Sequence, residues 1–120
     1  MHEYALAERI VEAVLTHLAL PETPRGKLTR VQVVAGRLHG IMPEYMLPTY
    51  AALVEGTPAA GSVLEIVDQP VTCRCETCGW RGPVEPPLFV CGACGGGALE
   101  MLTGKEFHLA QLEIETDEHP

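Results

Sequence analysis

Cys75-Glu76-Thr77-Cys78-Gly79-Trp80 and Cys91-Gly92-Ala93-Cys94-Gly95, with twelve residues between Cys78 and Cys91, are the segments from which the fold is read. Two thiolates three positions apart hold one ion when a tight turn faces both sulfurs inward. Gly79, Gly92 and Gly95 give the backbone freedom to curl there. Two such pairs at this separation have the spacing of a zinc ribbon. Cys75, Cys78, Cys91 and Cys94 would close a tetrahedron with no position left for water or substrate, so the predicted Zn(II) site is structural rather than catalytic. The competing reading is a redox dithiol, although a duplicated C-x-x-C matches metal ligation better than a single thioredoxin-like motif. A four-thiolate site carries a formal charge of about −2, and Arg74 and Arg81 stand near it in sequence to offset that charge. Cys73 is either a spare ligand or a buried, reduced thiol.

Outward from this segment, residues 71–104 contain few large apolar side chains beyond Trp80, Val84, Leu88, Phe89 and Val90, too few to fold on burial alone. Metal binding supplies the difference, on the order of 10 kcal/mol in zinc-finger peptides. On the N-terminal side, Leu6, Ile10, Val14 and Leu18 form one stripe, with Val11 and Leu15 beside it. That predicts an amphipathic helix over residues 4–20, ended by Pro21 and Pro24-Arg25-Gly26. Over residues 28–35 the period falls to two, with Val31, Val33 and Ala35 on one side and Arg30 and Gln32 opposite, which predicts a half-buried strand. Tyr45, Met46, Leu47, Tyr50, Leu53 and Val54 predict a second helix over residues 43–55. Pro43 suits its first turn, and Pro48 is expected to delay its start or bend it. Residues 63–68 form a short strand and residues 107–115 a third, with His108, Ala110, Leu112 and Ile114 on one face. The fold class expected is α+β: two helices packed on a three-stranded sheet, with a small zinc-ribbon module inserted before the last strand. Residues 1–70 with 105–120 are expected to form the α+β domain, and 71–104 the zinc-binding module.

A chain of 120 residues has enough surface to bury for one core, roughly two thirds of what its unfolded form exposes, and not for two. Eight Lys and Arg against 16 Asp and Glu give a net charge of −8, which opposes the counterion release that nucleic-acid binders use. No apolar run reaches the roughly 18 to 20 residues that cross a bilayer, and Met1-His2-Glu3 lacks the basic segment of a signal peptide. All five cysteines fall between Cys73 and Cys94, a pattern of metal ligation in a reducing compartment. The expectation is a soluble, cytoplasmic protein with neither nucleic acid nor membrane as partner. It is not read as an enzyme: the chain has no Ser/His/Asp set, no G-x-x-x-x-G-K-[ST] phosphate loop and no dinucleotide fingerprint.

The N-terminus offers a second donor set. His2 is too large for ordinary methionine removal, so the chain is expected to start at Met1 with a free amine. That amine, the backbone nitrogens of residues 2 and 3 and the His2 imidazole can surround one ion with four nitrogens, an arrangement that suits Ni(II) or Cu(II) better than Zn(II). Met1-His2-Glu3-Tyr4-Ala5-Leu6-Ala7, the connection G-R-L-H-G-I-M-P-E from Gly36 to Glu44, Glu55-Gly56-Thr57, two C-x-x-C-G motifs and the closing Leu112-Glu113-Ile114-Glu115 occur in one order. With these motifs the sequence is similar to the HypA/HybF family of hydrogenase-maturation nickel chaperones, over essentially its whole length. The resemblance implies Ni(II) as cargo, with His2 as ligand, the N-terminal nitrogens of Met1 beside it and Glu3 as a tuning residue. It implies zinc at Cys75, Cys78, Cys91 and Cys94. It also implies delivery to the large subunit of [NiFe]-hydrogenase with a maturation GTPase as partner, and in some members service to urease. Pro48 and the additional Cys73 depart from the family pattern. Of the remaining histidines, His39 and His108 are either bystanders or neighbours of a metal site, and His17 and His119 are read as surface residues. The alternative function is a zinc-ribbon protein-interaction module without metal cargo.

Overall fold

A computed structural model describes the backbone of residues 2–116 and the side chains of residues 3–116. The chain divides into two compact units. One comprises the residues up to Val33, Ile41–Val67 and those from His108 onward, and the other Val34–Gly40 and Asp68–Phe107.

In the first unit, helix α1 (His2–Leu18) buries Leu6, Ala7, Ile10, Val11 and Val14, the stripe its periodicity marks. Strand β1 (Lys27–Gly36) turns Val31, Val33 and Ala35 inward and leaves Arg30, Gln32 and Val34 half-exposed. Helix α2 (Pro43–Leu53) starts with Pro43 in its first turn and packs against α1. The delayed start offered as one effect of Pro48 does not occur: the helix begins before Pro48 and continues through it. Pro48 and Glu44, whose carbonyl loses its helical partner there, are both exposed, so water can satisfy that carbonyl. α2 buries Met46 and Tyr50. The Ser62 hydroxyl donates to the Ala59 carbonyl at 2.7 Å, so the hydrogen in its 2.7 Å contact with Tyr50 comes from the phenol.

Strand β2 (Val63–Gln69) and the last strand, Phe107–Glu115, flank β1 in a three-stranded sheet, as expected. Glu65 ties β2 to β1: it accepts hydrogen bonds from Arg30 and from Gln32 Nε2 (2.6 Å), and Arg30 also faces Glu113 at 3.9 Å. The bonds from Arg30 and Gln32 hold the Glu65 carboxyl below its ordinary pKa. In the last strand the alternation slips by one residue. Phe107, Leu109, Leu112 and Ile114 are half-buried, whereas His108 and Ala110, expected on the same side as Leu112, are exposed.

The second unit has a sheet of its own that the sequence reading did not include: β3 (Thr72–Cys75), β4 (Arg81–Pro83) and β5 (Leu99–Thr103), in the order β4-β3-β5 and antiparallel throughout. The strand Phe107–Glu115 is therefore β6. Pro83 is accommodated because β4 lies at an edge of its sheet. Val71, Cys73 and Val84 form a small core, with Trp80, Phe89, Leu99 and Met101 packed against it. The connection after β1, which contains a 3-10 turn at Arg37–His39, belongs to this unit. Its Gly36 crosses the backbone at Gly104 so tightly that a Cβ at residue 36 would collide with the Gly104 carbonyl. Arg37 secures it further, binding Asp68 at 2.6 Å and Glu85 at 2.8 Å.

Candidate metal centre

The two C-x-x-C-G segments fold into the same turn. The Cys75 carbonyl accepts the Gly79 N–H at 2.9 Å, and the Cys91 carbonyl accepts the Gly95 N–H at 3.0 Å. The Cys75 N–H donates to the Trp80 carbonyl at 2.7 Å, and the Cys91 N–H to the Gly96 carbonyl at 2.8 Å. Closing each turn takes a residue in the left-handed region, supplied by Gly79 (φ 81°) and Gly95 (φ 74°). The glycine after each pair is thus a condition of the geometry.

These turns bring the Sγ atoms of Cys75, Cys78, Cys91 and Cys94 within 4.8 Å of one another, with Cys75 and Cys91 buried and Cys78 and Cys94 exposed. Across the cluster, Cys75 lies 3.8 Å from Cys94 and Cys78 lies 3.5 Å from Cys91. A tetrahedron with Zn–S bonds of about 2.3 Å has edges of about 3.8 Å, so the donor set fits a four-coordinate thiophilic ion.

Electrostatics point the same way. Burial opposes ionisation of Cys91, but the N–H groups of Cys94 and Ala93, each 3.3 Å from its sulfur, outweigh it and draw its pKa down to about 6. The amides of Cys78 and Thr77 likewise lower that of Cys75. Cys78 goes the opposite way. The Trp80 amide favours its thiolate, yet the Cys91 sulfur, burial and the other two sulfurs together push it up to about 11. Like charges at this spacing do not all ionise unaided, and a cation at the centre removes the obstacle.

Arg74 and Arg81 do not provide that compensation. Period-two alternation puts Arg74 on the face of β3 opposite Cys73 and Cys75, in register with Arg81 and Glu100, and Arg74 pairs with Glu100 at 3.5 Å. Backbone amides act instead, which residue types alone do not reveal. Cys73 is not in the cluster. It is buried beside Val71 and Val84, and burial raises its thiol pKa.

Among the described residues, the four cysteines are the group of three or more His, Cys, Asp or Glu side chains that converges on one point. Met1 and the side chain of His2 lie outside the described residues, as does His119. Glu3 occupies the first turn of α1, and its carboxylate accepts the Met42 N–H at 3.4 Å. His39 Nε2 lies 2.9 Å from the Lys105 carbonyl, and its ring stands 5.4 Å from that of Phe107. His17 and His108 are exposed.

The family model described as hydrogenase/urease nickel incorporation, metallochaperone, hypA matches residues 1–114. The chain belongs to the HypA family. It is 35% identical to the hydrogenase maturation factor HypA of Chlorobaculum tepidum, over 96% of this chain and 100% of that protein. With the HypA of Nostoc punctiforme it shares 32% identity over 96% of both. Its fold resembles the solution structure of the Ni metallochaperone HypA from Helicobacter pylori, with a TM-score of 0.63, 23% identity, and coverage of 95% of this chain and 97% of that one. The HypA fold thus has two helices, two small sheets and the four-cysteine cluster before the last strands. Among the described residues no helix is long and apolar enough to cross a membrane.

Proposed function

We propose that this chain is a nickel carrier, binding Ni(II) at its N-terminus and passing it on for maturation of a [NiFe]-hydrogenase, while Cys75, Cys78, Cys91 and Cys94 hold a structural Zn(II). The observation that carries this reading is the family match, which begins at residue 1 and so takes in Met1-His2-Glu3. Two donor sets of different chemistry separate the two ions. Four thiolates are soft and tetrahedral and retain zinc, whereas an amine, an imidazole and backbone amides favour the square-planar preference of Ni(II). Residues 1–70 with 105–120 form the nickel-binding domain, with the cargo held at Met1 and His2, and the cysteine module 71–104, filled by zinc, presents a preformed surface. The acceptor is the hydrogenase large subunit, with a maturation GTPase as partner. Release requires that an acceptor bind the ion better than the carrier does. No chemical step is assigned to the carrier itself.

Equilibrium dialysis against both metals, on untagged protein, tests this reading. His2→Ala, and separately one residue placed ahead of Met1, are expected to abolish nickel binding and leave zinc at the parent stoichiometry. Nickel bound equally well by both variants refutes the assignment. A parent chain that takes up zinc and no nickel is instead an interaction module without cargo.

A further inference from the structure

Trp80, the chain's single tryptophan, follows the first cysteine turn directly, and its carbonyl closes that turn through the Cys75 N–H. Its ring does not stay with that turn. The benzo edge lies over two glycines. A Cβ at Gly82, in β4, would collide with Cζ2, and one at Gly92 would stand 2.6 Å from the same atom. Gly92 is the residue after Cys91, inside the second turn. Neither glycine has a positive φ, so conformational freedom does not account for them. Each leaves room for the indole.

The sulfurs themselves meet across the two turns, Cys75 with Cys94 and Cys78 with Cys91. The sheet β4-β3-β5 includes Cys75 at the end of β3 and excludes Cys91 and Cys94. The backbone N–H groups of Cys91, Ala93, Cys94 and Gly95 donate within the second turn, to the Cys91 carbonyl and sulfur and the Gly96 carbonyl. Downstream, the Glu76 N–H reaches the Ala98 carbonyl at 2.9 Å. The geometry points to Trp80 as a positioning residue for the metal. Its indole bridges the first turn and Gly92 of the second, holds the Cys91 and Cys94 thiolates in place opposite Cys75 and Cys78, and thereby slows loss of the ion. Trp80 is also packed on the Val71, Cys73 and Val84 core, so the ring transmits that core's rigidity to the second turn.

The inference rests on the four-thiolate reading, and one experiment separates the two. Zinc content is counted on each protein, and release to a chromogenic chelator in excess is then timed. Trp80→Ala is expected to release zinc on the order of tenfold faster than the parent chain, with Co(II)-substituted protein still showing a four-thiolate tetrahedral spectrum. Gly92→Ala, which pushes the indole aside, is expected to accelerate release in the parent and to add nothing in the Trp80→Ala background. Trp80→Phe retains a ring without the benzo edge; it is expected to release zinc at an intermediate rate and serves as the folded control. Unchanged release in Trp80→Ala and Trp80→Phe overturns the role given to Trp80. So does a Gly92→Ala effect that is equally large without the indole. A parent chain without zinc overturns the four-thiolate reading itself.

Discussion

Glu3 stands one residue past His2, and its carboxylate is engaged by the Met42 N–H, at the N-cap of α2. That bond fixes the first turn of α1 to the start of α2, so the residue expected to tune nickel chemically also acts as a tether. The two roles separate by substitution. Glu3→Gln keeps an acceptor oxygen for the amide and loses the charge, whereas Glu3→Ala loses both. With the tether dominant, Glu3→Gln is expected to bind nickel within about twofold of the parent, and Glu3→Ala on the order of tenfold more weakly, by isothermal titration with zinc content unchanged. Equal losses in both would assign the effect to charge. At this scale the spacing marked out the four cysteines that the structure brings together, and the glycine that follows each pair. It misdirected attention to Arg74 and Arg81, because nearness along the chain says nothing about which face of a strand a side chain occupies. The amides of Thr77, Cys78, Ala93 and Cys94, which stabilise the thiolates, carry no side-chain signature.

Among the elements, α2 is secured by Tyr50, fully buried and donating its hydroxyl to Ser62. Burial raises the phenol pKa above its ordinary value, against the weaker opposing effect of the Ser62 bond. Folding therefore favours the neutral ring. The associated stability is fully present below the unfolded value near ~10 and is lost as pH rises through the higher folded value. Tyr50→Phe leaves Ser62 its bond to Ala59 and is expected to cost about 1 kcal/mol at neutral pH. It is also expected to flatten the decline in melting temperature above about pH 10, measured by thermal denaturation. A variant declining as steeply as the parent would contradict this. α1 and β1 were legible because each buries one face and so imprints its period on the sequence. The strands of the cysteine unit were not: β3 spans four residues and β4 three, and a Gly- and Pro-rich segment masks the alternation of Cys73 and Cys75. The last strand was placed correctly, yet its one-residue slip between Leu109 and Leu112 is invisible to a simple period of two.

Across the whole molecule, the division into two units follows from what each has to bury. The first has two helix stripes and the inward-facing Val31 and Val33 of β1, and the second has the small core of Val71, Cys73 and Val84, the side chains packed on it, and the four-cysteine cluster. Metal removal is accordingly expected to act selectively. Chelation should abolish amide protection in β3 and β5 while α1 and α2 keep theirs in hydrogen exchange. Simultaneous loss in both units would make the chain one cooperative body. The central claim is that one chain holds two ions in two kinds of donor set. X-ray absorption at both edges, on protein loaded with nickel and zinc, tests it most directly. The account predicts nitrogen donors around nickel with no sulfur, and four sulfurs at about 2.3 Å around zinc. Sulfur bound to nickel would contradict it.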